Sequence, residues 1–265
     1  MALPADGGQV VHTPRLMPDT RRLPSRRADT SLSVVIPTLN EERHIGSLLS
    51  DIAGQTRKAD EVIVVDAGSE DDTVRVAKRL FPDVILLDGS PPVAVGRNLG
   101  GRSARGDVLI FLDADVRLPK GFFEGFLEGF EDRRLDIACP SYVPHRSTPA
   151  INGIHAFFNL LFSLSEELLP SGAGHCIAVR REAFRESQGF DPALKFDDIE
   201  LIRRLSKGRR FGIVAQERVY VSDRRYREHG IFRMALRYLL MSFFFVLGKY
   251  QWANRIDYEF GNHKR

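Results

Sequence analysis

The sequence predicts an α/β fold: a mostly parallel sheet flanked by helices, followed by a mixed half and an apolar C-terminal helix. Three observations carry this expectation. Four short runs, LSVVIP, VIVVD, VILLD and VLIFLD, are continuously apolar, which suits strands covered on both faces. Each run closes on Pro or Asp. Between the first three lie stretches whose apolar residues recur at helical spacing.

Residues 1–30 read as a disordered tail, because Pro4, Pro14, Pro18 and Pro24 interrupt it while Arg21, Arg22, Arg26 and Arg27 crowd it. After the first strand, Ile45, Leu48, Leu49 and Ile52 fall on one side of a helix, and Thr38-Leu-Asn-Glu41 resembles a capping box. After the second, SEDDTVRVAKRLF offers Ser69 and acidic residues for a helix start, with Val74, Ala77 and Phe81 on one side. The resulting β-α-β-α-β order implies right-handed crossovers. VGRNLGGRSARG, just before the fourth run, is rich in Gly and Arg. Its Arg97, Arg102 and Arg105 suit either solvent or phosphate and base contacts.

Past Asp136, IACPSYV reads as a strand, INGIHAFFNLLFSLSEELL as a helix, HCIAVR as a strand and DDIELIRRLSK as a helix. FGIVAQERVYV reads as one or two strands. No sharp linker appears, so 31–222 forms one domain on one sheet, with 223–265 a basic and apolar helical extension.

The bulk numbers bound the partners. The chain has 265 residues, 43% hydrophobic and 28% charged, the balance of a globular protein. A net charge of +3 argues against nucleic acid as the main partner. MALPADGG shows no secretory signal, and the 2 cysteines, Cys139 and Cys176, read as reduced core thiols. Together these imply a cytoplasmic location.

In open parallel sheets ligands bind beyond the carboxyl ends of the strands, which here are Pro37, Asp66 and Asp113. Asp113 and Asp115 alternate around Ala114, so in extended backbone both point the same way. Such a pair suits Mg²⁺ or Mn²⁺, held by one or two carboxylates plus substrate phosphates; on the motif alone, a turn closing a strand fits equally. Asp66-Ala-Gly-Ser-Glu-Asp-Asp suits either a turn with an N-cap or a ribose or base contact. In a helix starting near Asp197, Asp198 shares a face with Leu201, Ile202 and Leu205, whereas Asp197 sides with Glu200 and Arg204. Asp198 is thus expected to point inward and Asp197 to cap, two helix-start acids favoured by the dipole being the alternative.

SVVIPTLNEE, VIVVDAGSEDDT, GRNLG, FLDADV and GFDPALKFDDIELIRRL occur in one order from about Ser33 to Gly212. Together they resemble the family 2 glycosyltransferases. The resemblance implies a Rossmann-like, A-type glycosyltransferase fold and transfer of a sugar from a nucleotide-diphosphate sugar to an acceptor hydroxyl. By that likeness Pro37, Leu39 and Glu41 match nucleoside-binding positions, Asp66 faces the base, Arg97 contacts base or diphosphate, and Asp113 touches the ribose. Asp115 would hold Mg²⁺ or Mn²⁺, and Asp198 would be the general base of an inverting displacement. Asp197-Asp198 stands where Glu-Asp is common in the family. GHCIAVRREAF followed by GFD looks like the acceptor-shaping segment. In SDRRYREHG, Arg224 and Arg225 would close over the diphosphate and His229 would add a metal ligand, although a solvated basic loop suits them too. QWANR does not match the Gln-x-x-Arg-Trp pattern of processive synthases. A retaining transferase on the same fold and a non-catalytic nucleotide-sugar-binding subunit are the alternatives. A nucleotidyltransferase lacks support, because no Gly-rich, lysine-containing loop follows the first strand.

The apolar stretch from Tyr238 to Leu247 falls short of the roughly 20 residues that span a bilayer. Either 231–250 packs on the domain, or it lies peripherally on the inner face of the membrane with Arg233, Arg237 and Lys249 among anionic headgroups. The second reading fits a lipid-linked acceptor.

Overall fold

The structure is a computed structural model describing residues 30–145, 147–222, 226 and 230–256. The predicted N-terminal tail, apart from Thr30, lies outside the described residues, as do Arg224, Arg225 and His229. The seven strands are β1 (Leu32–Thr38), β2 (Glu61–Asp66), β3 (Ile85–Asp88), β4 (Val108–Leu112), β5 (Ile137–Pro144), β6 (Cys176–Arg180) and β7 (Phe211–Val221). They form one sheet of order β3-β2-β1-β4-β6-β5-β7. β1 to β4 are parallel to their neighbours within that half, whereas β6 runs antiparallel to both β4 and β5. β5 and β7 pair in parallel. The parallel half and mixed half of the sequence reading are therefore one sheet, and FGIVAQERVYV is a single strand. Its register against β5 slips between Pro140 and Ser141, which pair with Val214 and Arg218, so residues 215–217 leave the ladder.

The unbroken apolar runs are explained by helices on both faces. Alternate residues Val34, Ile36, Ile110 and Leu112 pack with α1 (Ile45–Ala53), α2 (Thr73–Leu80) and α4 (Phe122–Asp132). The intervening Val35, Leu109 and Phe111 pack with α3 (Val93–Ser103), α6 (Arg181–Glu186) and α7 (Asp197–Leu205). Ile45, Leu48, Leu49 and Ile52 are buried as their spacing predicts. The Gly-rich segment before β4 is the helix α3, and its glycines serve packing: a Cβ on Gly100 would collide with Val35 of β1. That absence lets α3 lie close on the sheet and carry Arg97 to the strand ends.

Two local expectations fail for tertiary reasons. Thr38 to Glu41 is no capping box, because α1 begins only at Ile45 with His44 at the N-cap and no side-chain cap. Instead the segment crosses to the β2–α2 loop: the Glu41 amide donates to Thr73 Oγ1 at 2.8 Å, and the Asn40 amide to Ser69 Oγ at 2.9 Å. Asn40 takes φ 56° to make that turn, a left-handed conformation Asn tolerates. Ser69 does not start α2, whose N-cap is Asp72; Ser69 bonds Asp66 instead. Thr73 and Ala77 are the buried residues of α2, and Val76 and Phe81, not Val74, pack on the core.

The C-terminal part is helical, with α5 (Pro149–Ser165), α8 (Ile231–Val246) and α9 (Tyr250–Ala253). Ile151, Phe196, Met234, Met241 and Phe245 share a third core cluster, so one side of α8 packs on the domain. Among the described residues, no helix is long and apolar enough to cross a membrane.

Candidate active site

The site lies at the carboxyl ends of β1, β2 and β4. Its centre is Arg97, which α3 delivers beneath the end of β4. Nη2 donates to Asp113 Oδ1 at 2.9 Å and Nη1 to Asp197 Oδ1 at 2.9 Å. Nη2 also reaches the Gly174 carbonyl at 3.5 Å, and the guanidinium lies 5.2 Å from the Phe190 ring centroid. Arg97 is buried; burial alone would lower its pKa, but Asp197, Asp113 and Asp198 outweigh that and raise it. The expectation of a base or diphosphate contact meets a guanidinium already held by two carboxylates.

Asp113 and Asp115 do not act as a matched pair. The chain leaves the strand at Leu112 and turns at 114–115, so extended geometry does not apply. Asp113 is engaged on both oxygens, Oδ1 by Arg97 and Oδ2 by His175 Nδ1 at 3.0 Å. Burial pushes its carboxyl up, yet the His175 hydrogen bond and the Arg97 charge prevail and hold it well below the usual range. Asp115, half-buried, has no hydrogen-bond or ion-pair partner among the described residues. It borders a crevice shared on one side with Arg43, His44 and Arg117, and on the other with Tyr142, His155 and His175. An unpartnered carboxylate at a crevice between strand ends and C-terminal half fits a hard cation. Among the described residues no group of three or more His, Cys, Asp or Glu side chains is gathered to hold a metal ion.

The two acids at the start of α7 depart from the helical-face argument. Asp197 does not cap: α7 has Phe196 at its N-cap and no side-chain cap, and Asp197 is 2% exposed against Arg97. Its Oδ2 is buried with no hydrogen-bond partner among the described residues. Asp198, half-buried, lies against Gly174, where an added Cβ would land on its carboxylate. Burial raises the pKa of both acids above the ordinary range, opposed by the Arg97 charge. Both acids, not Asp198 alone, thus belong to the charge network around Arg97.

Asp66 turns its carboxylate into its own loop. Oδ2 accepts from the amides of Gly68 and Ser69 at 3.1 and 2.9 Å, and Oδ1 from the hydroxyls of Ser69 and Thr38 at 2.5 and 3.3 Å. Pro37 is buried at the end of β1, Leu39 is half-buried beyond it, and Glu41 Oε2 pairs with His44 Nδ1 at 2.9 Å. Sequence reasoning missed His175 and Gly174 as individuals, although the segment GHCIAVRREAF carried them. It also missed the partnership of Asp197 with Arg97, which no local spacing signals.

Comparison with known proteins bears on the family and the fold. The sequence profile described as Glycosyl transferase family 2 matches residues 33–187, more than half of the chain. The chain is 28% identical over 216 residues to the succinoglycan biosynthesis protein ExoA of Rhizobium meliloti, covering 74% of this chain and 62% of that protein. It spans only about a third of the length of several other curated relatives. Among solved structures, the mannosyltransferase PcManGT of Pyrobaculum calidifontis, in complex with GDP-Man and Mn²⁺, superposes with a TM-score of 0.60 at 23% identity, covering 73% of this chain and 57% of that one. TarS 1-349 of S. aureus in complex with UDP gives 0.59 at 19%, covering 72% and 60%. These likenesses show the fold, the A-type arrangement of nucleotide-sugar transferases. With the family profile matched across the parallel half and into the segment that carries His175, the chain belongs to glycosyl transferase family 2.

Proposed function

We propose that the chain transfers a sugar from a nucleotide-diphosphate sugar to an acceptor hydroxyl, with inversion and with a divalent cation. The observation that carries the reading is Asp115, a carboxylate at the crevice with no partner among the described residues, beside the Asp113–Arg97–Asp197 network that abuts Asp198. The ligands named for the structural neighbours, UDP in TarS and GDP-Man with Mn²⁺ in PcManGT, support a nucleotide-sugar donor. Pro37, Leu39, Glu41 and Asp66 lie on the loops that would border the nucleoside, the two loops being tied together by Asn40, Ser69 and Thr73. Arg224, Arg225 and His229 enter on the sequence resemblance alone.

In the proposed step the acceptor oxygen attacks the anomeric carbon while its proton passes to Asp198. The bond from that carbon to the diphosphate oxygen breaks, and its electron pair leaves with the diphosphate. A cation held by Asp115 would neutralise the charge appearing there. Arg97 holds Asp113 and Asp197 by charge-assisted hydrogen bonds, so the half-buried Asp198 carries the proton-accepting role. A single displacement turns an α-linked donor into a β-linked product.

Two results test this. A cognate UDP-, GDP- or TDP-sugar with Mn²⁺ or Mg²⁺, at about a hundred times its Kd, should raise Tm by about 5–10 °C, and EDTA should abolish the rise. No rise with any donor, with or without cation, would contradict the donor reading. Gly174→Ala should displace the Asp198 carboxylate, the movable group in its way, and lower kcat by at least about tenfold with the fold intact. Wild-type turnover would show that the reaction does not need Asp198 where it stands.

A further inference from the structure

We propose that the outward faces of α5 and α8 together form a docking surface for an anionic lipid bilayer, bringing the Asp115 crevice to a lipid-borne acceptor. The docking part stands on the surface alone; the acceptor part rests on the transferase reading above.

α5 is mostly apolar and carries no charged residue between Pro149 and Ser165, with Glu166 and Glu167 directly after it. Its inner side is occupied: Ile151 and His155 are buried, and the Phe158 and Phe162 rings contact Tyr238 and Tyr142. Its outer side carries Phe157, Leu160, Leu161 and Leu164, spaced as one stripe, with Leu164 at 76% exposure and Leu168, just beyond the helix, at 91%. α8 repeats the pattern. Met234, Met241 and Phe245 face the core, while Phe232, at 82% exposure, Leu236, Leu240 and Phe243 face outward. The Phe158 and Tyr238 rings meet at 6.0 Å, so the two helices are neighbours. Large apolar side chains aligned on an exposed face ordinarily mark a contact surface, and both helices carry such a face.

Charge identifies the occupant. Arg233, Lys249 and Arg255 are exposed and Arg237 is half-buried, while 230–256 contains no Asp or Glu. Arg255 lies 5.1 Å from the Trp252 ring centroid, and that half-exposed indole beside a cation is the pairing found where protein meets headgroups. A second copy docking by the same face would set cations against cations. Residues 1–29 are arginine-rich and hold no long apolar run, so they do not match an apolar, cationic surface. Since none of the described helices spans a bilayer, the contact is with its surface. The same two helices wall the site: His155 on α5 and Tyr238 on α8, both on the inner sides, line the crevice with Asp115 and His175. A bilayer on the outer faces would therefore lie next to the elements that enclose the crevice. The surface thus joins α5 to the 231–250 segment singled out by its apolar and basic residues.

The full chain should float with vesicles of phosphatidylcholine containing about 30% phosphatidylglycerol, and at least about tenfold less with phosphatidylcholine alone. Leu160→Ser with Leu164→Ser should lower the bound fraction at least about tenfold, as should Phe232→Ser with Phe243→Ser, with circular dichroism and Tm unchanged. The α5 pair decides the proposal. If it floats like wild type while the α8 pair does not, α5 takes no part and the inference fails. It fails too if wild type does not float, or if it self-associates through this face in a way the α5 pair abolishes and vesicles do not compete with. Donor-induced stabilisation, measured on the same variants, reports the donor site separately. Its absence alongside intact flotation would sink the transferase reading and leave the docking surface standing.

Discussion

Arg97→Met is expected to destabilise the protein by about 3–5 kcal/mol at neutral pH, because it strips the shared cation from the enclosed Asp197 and the half-buried Asp113. Asp113 and Asp197 each lose a 2.9 Å charge-assisted hydrogen bond, and both then face Asp198 without compensation. Lys should not rescue, since a point charge on one nitrogen cannot bridge two acids as a planar fork does. The pH dependence separates this from a simple packing defect. In the wild type, Asp113 sits below its ordinary value of 3.8, so its contribution is complete above about that pH and is lost as pH falls through the depressed value. Asp197 and Asp198 lie above 3.8, so folding takes up protons as pH falls from neutral and their repulsion is relieved. Without Arg97 all three acids move upward, and the deficit of the variant should shrink between pH 8 and pH 5. Urea unfolding at the two pH values checks this; a deficit below about 1 kcal/mol, or one that does not change with pH, would contradict the network.

Asp198→Asn carries the second large expectation: kcat lower by roughly 10²–10⁴-fold, with donor Kd changed by less than about threefold. The substitution is nearly isosteric and keeps the carboxamide against Gly174, so the crevice at Asp115 stays intact. What is lost is the ability to accept a proton while the acceptor oxygen bonds to carbon. Parallel loss of donor affinity would assign Asp198 to donor binding. Asp197→Asn offers the contrast. Its carboxylate is enclosed and tied to Arg97, so the main consequence there is on stability and on the placement of Arg97.

The ends of the strands were legible because physics makes them so. An unbroken apolar run closed by Asp has few other places to put that carboxylate, and Asp66, Asp113 and Asp115 all lie at the mouth of the parallel half. The partners of those acids were not legible. Arg97 meets Asp197 across 100 residues of chain, and no periodicity spans that distance. The helical-face argument put Asp198 inward because it counted Leu201, Ile202 and Leu205 as the core. It could not weigh a buried guanidinium, which makes the opposite side of α7 an equally good interior for Asp197. His175 escaped for a related reason: a lone His before a strand has no spacing signature, and only β4–β6 pairing sets it against Asp113. The false capping box at Thr38 shows local chemistry overridden, since Asn40 and Glu41 spend their amides on the neighbouring loop. The face of α5 was legible as helix but not as surface, because a mostly apolar helix reads as buried until its neighbours are known.

The claim at the centre is that Asp198, lifted by burial and balanced by Arg97, takes the acceptor proton. The pH profile of kcat/KM tests it most directly. The account predicts an acidic limb with an apparent pKa above 3.8 and its disappearance in Asp198→Asn, whose residual rate should be flat over the same interval. An acidic limb that persists unchanged in Asp198→Asn would contradict it.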